Sequence, residues 1–185
     1  MKDRSSKPRS YDGELKNIGE PAEAYIARYL SREYARVIPV GKEGRRLDYR
    51  CFLANGTVDL VEGKTDTRVA LTQRVPWEIF RLERGGMKAY LSWGYASPCS
   101  RVIYFVPQWL RILDIYTADI RRLIFRHLMC KRREVFVAHT LTDSDRVTFN
   151  FLVPLGLLRE GSCVREVEIA ETPLGPEVPY QKRLE

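Results

Sequence analysis

With 185 residues, 44% hydrophobic and 30% charged, the chain has the composition of one folded domain and not of a disordered segment. Its longest apolar run, at Arg101–Gln108, is too short to cross a bilayer, and the polar start MKDRSSKPRS lacks the apolar centre of a secretory signal, so a cytoplasmic protein is expected. Lysine and arginine exceed aspartate and glutamate by 31 to 24, and the resulting +7 suits a polyanionic partner.

Residues 1–18 read as a polar arm. Ala22, Tyr25, Ile26, Tyr29 and Leu30 recur at helical spacing, and Pro21 suits a first turn, which predicts a helix over Glu20–Glu33. Three extended segments follow: Ala35–Val40, Leu47–Leu53 and Thr57–Lys64, the last two joined by the turn signal Ala54-Asn55-Gly56. Val75, Ile79, Leu82 and Met87 then predict a helix within Thr72–Leu91, with Pro76 near its start and a break at Gly85-Gly86. Arg101–Gln108 reads as a buried strand. A long helix is expected over Trp109–Cys130, from Leu110, Leu113, Ile120, Leu123, Ile124 and Leu128, with a basic C-terminal end. Two more strands, Glu134–Thr140 and Arg146–Leu152, complete the pattern, and Pro173, Pro176 and Pro179 mark a tail over 168–185.

The order α-β-β-β-α-β-α-β-β predicts an α/β fold in which helices flank a central mixed sheet. One domain is expected over 19–167, with a core at 19–108 and an α-β-β extension at 109–167. Cys51, Cys99, Cys130 and Cys163 are too scattered for a zinc site, and only His127 and His139 could assist, so reduced and mostly buried thiols are expected.

Chemistry concentrates in Val58–Lys64. Strand alternation turns Glu62 and Lys64 to one side, and Gly63 between them leaves room for close approach. Carboxylates with a nearby lysine are what metal-assisted phosphodiester cleavage needs, and hard oxygen ligands suit magnesium. The hairpin supplies a geometric test. A two-residue turn at Asn55-Gly56 would set Asp48 opposite Gly63 and point it away from Glu62. A three-residue loop with Gly56 in the left-handed position would pair Leu53 with Thr57 and put Asp48 opposite Glu62, on the same face. Asp59 falls on the other strand face, at the surface or in an ion pair, and Asp66 reads as a turn residue. Tyr49, Tyr90, Trp93 and Tyr95 are either core aromatics or stacking platforms.

The succession GEPAE, LDYRCFL, VDLVEGKTD and TQRVPWEIFRLERGG resembles the PD-(D/E)XK nuclease superfamily, most closely the archaeal Holliday-junction resolvases and the VRR-NUC type of domain. The resemblance spans roughly residues 19–106, as judged by element order. It implies a restriction-endonuclease-like fold and a magnesium-dependent endodeoxyribonuclease, with manganese as a substitute, acting on structured or double-stranded DNA. By this resemblance Asp48, Glu62 and the Gly63 carbonyl hold the metal. Lys64 orients water or neutralises charge, Glu23 (or Glu20) serves a second metal or its hydration shell, and Gln73 opens a helix beside the site. Resolvases of this kind are homodimers, which makes a homodimer the corresponding expectation. Arg45, Arg46, Arg50 and Arg68 are the candidate phosphate contacts. Leu47 stands where the superfamily name has proline, Gly63 replaces a β-branched residue, and nothing beyond residue 109 takes part. The competing expectations are a non-catalytic nucleic-acid-binding module on the same scaffold and an assembly protein whose basic surface binds a protein.

Overall fold

The computed structural model describes residues 20–40, 47–83, 88–130, 136–142 and 146–169. It is a mixed α/β structure with a mixed six-stranded sheet flanked by helices and a second, antiparallel four-stranded sheet. Helix α1 (Glu20–Glu33) is followed by β1 (Arg36–Pro39), β2 (Tyr49–Phe52) and β3 (Val58–Thr65). A four-residue helix, α2 (Val69–Thr72), leads into β4 (Arg74–Glu83) and β5 (Lys88–Leu91), and the short α3 (Trp93–Ala96) returns the chain to β6 (Arg101–Val106). Next come β7 (Arg111–Tyr116), α4 (Thr117–Met129), β8 (Phe136–Thr142), β9 (Arg146–Pro154), α5 (Leu155–Glu160) and β10 (Val164–Glu168).

The first sheet has the order β1-β2-β3-β6-β7-β10, with β3 and β6 parallel and the other pairs antiparallel. Its strands alternate between two cores. Val61, Ile103, Phe105 and Ile112 face α1, which buries Ala22, Ile26, Tyr29 and Leu30 against them. Val102, Tyr104, Leu113 and Ile115 face the other way, toward α4, α5 and the second sheet, where Val75, Trp77, Phe151 and Val153 meet them. Both faces of β6 are therefore covered, and all six of its residues are buried.

Two expected helices are corrected. The segment Thr72–Leu91 is mainly strand: β4 pairs with β9 and, over Phe80–Glu83, with β5. Its helix-like spacing comes from a bulge between Glu78 and Phe80, which shifts the phase of the apolar residues. Pro76 is tolerated because β5 does not reach it, so that side of β4 is an edge there. The first third of the expected helix Trp109–Cys130 is β7, entered through Leu110 in the left-handed region (φ 46°). A continuously apolar buried strand has no period that separates it from a helix. The expected α-β-β extension is thus β-α-β-β-α-β, and the tail expected from residue 168 begins inside ordered structure, since Glu168 closes β10 and Ile169 N–H bonds to the Leu110 carbonyl at 2.8 Å. The expected arm at 1–18 and the tail beyond 169 lie outside the described residues.

A buried ionic cluster locks α1 to the sheet. Asp114, fully buried on β7, accepts from Tyr29 Oη at 2.6 Å, from Arg101 Nε at 2.9 Å and from Arg165 Nη2 at 3.1 Å, and Arg101 also donates to Tyr34. Tyr34 in turn donates to Asp59 at 2.7 Å. Burial, followed by the Asp114 hydrogen bond, pushes the Tyr29 phenol well above its ordinary range, so it stays a donor. Asp59, expected at the surface or in an ion pair, is instead half-buried between Tyr34 and Ser100, whose hydroxyl bonds it at 3.0 Å.

Candidate active site

The hairpin takes the register that joins the carboxylates. Leu53 N–H bonds to the Thr57 carbonyl at 2.9 Å, and Gly56 has φ +82°. Only a residue without Cβ adopts that conformation at little cost, so Gly56 sets the three-residue loop. Tyr49 then lies opposite Val61 at the end of the paired ladder, and Asp48, just before it, donates its N–H to the Val61 carbonyl at 3.0 Å. Asp48 Oδ2 accepts the Gly63 N–H at 2.8 Å. The Val61 carbonyl accepts the Asp48 N–H on the β2 side, so alternation turns the backbone of Gly63 to that same edge. The absent side chain at Gly63 has a packing reason: a Cβ would lie 3.3 Å from both Ile26 and Tyr49.

Glu62 is 6% exposed and Lys64 forms an ion pair with its Oε1. Oε2 of Glu62 is buried and has no hydrogen-bond donor among the described residues. Burial raises the Glu62 carboxyl above the usual carboxylate range, Lys64 pulls it down, and Asp48 and then Glu78 push it back up. The wall facing this face of β3 comes from the second sheet and α3. The Lys64 ammonium lies 5.2 Å from the centre of the Trp93 ring, and Trp93 packs edge-on against Trp77 with ring centres 4.8 Å apart. Trp77 Nε1 donates to the Gly94 carbonyl at 3.1 Å, Glu78 accepts from Ser92 and from Arg81 at 3.0 Å, and Tyr104 donates to the Pro76 carbonyl.

No family model matches this chain, and neither does any curated protein or solved structure.

The other expected site residues scatter. Glu23 is exposed on α1, one turn before Ile26. The side chain of Glu20, the alternative, lies outside the described residues. Gln73 does not open a helix; it closes α2 in the left-handed region (φ 54°), is exposed, and donates to Ala70 O at 3.2 Å within its own turn. Arg50 and Arg68 are exposed, and Arg45 and Arg46 lie outside the described residues. Asp66 is the turn residue expected, accepting the Arg68 N–H at 2.6 Å. Tyr49 is core, Trp93 half-buried, Tyr90 and Tyr95 exposed.

Among the described residues no group of three or more His, Cys, Asp or Glu is placed to hold a metal ion, and no helix is long and apolar enough to cross a membrane. His127 is buried with Nδ1 2.9 Å from the Leu123 carbonyl, inside its own helix. Cys51, Cys99 and Cys163 are buried thiols and Cys130 is exposed. Burial pushes the Cys51 thiol up to about 12 and the Cys99 thiol to about 11, which keeps both unreactive. Glu78 and the wall role of Trp93 had no signal in the sequence, because both depend on how the second sheet folds over β3.

Proposed function

We propose that this chain is a metal-dependent nuclease with a restriction-endonuclease-like core, built on Asp48, Glu62 and Lys64. The observation that carries this reading is the buried Glu62 Oε2 without a donor, beside Lys64 and one residue from Gly63, whose N–H Asp48 accepts. A buried carboxylate oxygen is costly unless paired, so an unpaired one asks for a cation. Two carboxylates do not make a closed cage. They suit magnesium or manganese, which bind through one or two carboxylates, waters and substrate phosphate oxygens.

When bound, such an ion would supply Lewis acidity at the scissile phosphate and an activated water. Asp48 and Glu62 would hold it, with the Gly63 backbone facing the same edge. Lys64, steadied by Glu62 and the Trp93 ring, presents positive charge to the phosphate as its own charge grows. Glu23, exposed on α1, and Gln73, whose amide stays in its own turn, are assigned no role. The charge of +7, together with exposed Arg50 and Arg68, favours a nucleic acid as the substrate, and DNA is the one the resemblance implies.

The test compares wild type with Lys64→Ala and Asp48→Asn on linear, single-stranded, flapped and four-way-junction DNA, in magnesium, manganese or EDTA. Metal-dependent cleavage that falls roughly 10²–10³-fold or more in each variant is expected. A folded wild type that binds DNA but cuts none of these substrates would replace this reading with a binding module.

A further inference from the structure

Helix α4 presents two unlike faces. Ile120, Leu123 and Ile124 are buried in the core, as an amphipathic helix requires. The opposite face does not revert to polar residues. Phe125 is 64% exposed and Met129 68%, one turn apart, and Arg122 and Arg126 run beside them at the same spacing. These four, with Arg121 and Cys130, line a shallow concavity that joins a second one between α4 and α5 at Arg126 and Cys130. Arg121 is committed to the Gly94 and Ser97 carbonyls and Arg122 to Asp119, whereas Arg126 has no side-chain acceptor among the described residues. The surface is therefore apolar along one row and cationic along the next.

We propose that this face of α4 docks an acidic amphipathic helix of a partner protein. The charge row selects the occupant. A second copy of the chain related by a two-fold axis would bring Arg122 and Arg126 toward their own counterparts, a like-charge contact. A DNA duplex would satisfy the arginines through its phosphates and, with its bases stacked inside, leave the Phe125–Met129 row without a partner. A helix with leucines at three- and four-residue spacing, flanked by glutamates, covers both rows at once, and methionine adapts to such a partner. Neither concavity is lined by Asp48, Glu62 or Lys64, so the proposal holds whatever the chemistry there proves to be.

The probe is a fluorescein-labelled synthetic helix of about 16 residues with leucines on one face and glutamates on both sides, titrated with the full chain by fluorescence anisotropy. Binding is expected, with a loss of roughly tenfold or more in Phe125→Ser and, separately, in Arg122→Glu/Arg126→Glu, and no change in Leu71→Ser, at an exposed leucine outside this face. All these positions are exposed, so circular dichroism melts of the variants should match wild type. Absence of binding, or binding indifferent to Phe125→Ser, overturns the proposal. So does preferential binding of a short DNA duplex that depends on the arginines alone, or a dimer in sedimentation equilibrium that Phe125→Ser dissolves.

Discussion

Gly94 is the point where α3 meets the wall of the candidate site, and its replacement by alanine can be worked through from distances. A Cβ there would press on the backbone carbonyl of Glu78 and lie 2.7 Å from Trp77 Nε1 and 2.9 Å from Trp77 Cδ1. Trp77 is fully buried and cannot rotate away, and the Glu78 carbonyl belongs to β4, so the α3 turn must move instead. Overpacking of this kind costs about 1–3 kcal/mol. Displacing the Gly94 carbonyl also threatens its bond from the Trp77 indole, and a stranded buried donor costs about 1–3 kcal/mol more. Better helix propensity returns about 1 kcal/mol. A net loss of roughly 1–5 kcal/mol follows, or about 2–20 °C in Tm for a chain of this size. Urea unfolding followed by tryptophan fluorescence measures it. Gly156→Ala in α5 is the control: nothing lies within 4 Å of its Cβ, so it should stabilise by about 0.5–1 kcal/mol. A Gly94→Ala midpoint equal to wild type, or equal losses at both glycines, would refute this reasoning.

Arg101→Met should cost about 3–5 kcal/mol in urea unfolding, because Asp114 stays buried with only Tyr29 and Arg165, and adding Asp114→Leu should recover most of that loss. Burial raises the Glu62 carboxyl in the folded state, so its contribution to stability is present at acid pH and is lost as pH rises through the folded value. Glu62→Gln cannot titrate, so in EDTA its stability relative to wild type should grow from pH 4 to 7, by thermal melts; a constant difference would count against a raised carboxyl. Added magnesium should raise the melting temperature of wild type and not of Glu62→Gln. In the cleavage assay, Trp93→Leu should lower kcat by roughly 3–30-fold with little change in KM, and Trp93→Phe, which keeps a ring face toward Lys64, should lose less. Equal losses in both variants would remove the Trp93–Lys64 contact from the mechanism.

What could be read from the sequence was local. Helix α1 follows from Ala22, Ile26, Tyr29 and Leu30 at helical spacing, and its bounds agree with the expectation, Glu20–Glu33. The hairpin register follows from one glycine, Gly56, because the length of its loop sets which residues of β2 and β3 pair, Phe52 with Val58 through Tyr49 with Val61. What could not be read depends on partners far along the chain. Val75, Ile79 and Leu82 look helical only because a bulge displaces the strand phase, and the partner that makes β4 a strand, β9, lies about 70 residues later. Arg101 and Asp114 each stand in an apolar run where a charge argues against burial, and only their pairing across β6 and β7 makes it tolerable. The carboxylates of the candidate site were legible for the same reason as the hairpin. The aromatic wall over Lys64 was not, since Trp93 reaches it through the second sheet.

That split has a consequence for the growing chain. Asp48, Glu62 and Lys64 belong to a hairpin that closes on itself as soon as residue 64 has been made. The wall that steadies Lys64 hangs on β4, and β4 has no full-length neighbour until β9 ends at Pro154, 90 residues after Lys64. At ribosomal rates of about 5–20 residues per second, the hairpin waits on the order of 5–20 s for its wall. During translation the carboxylates come first and the lysine's anchor last, so a nascent chain carries the ligands before it carries the site.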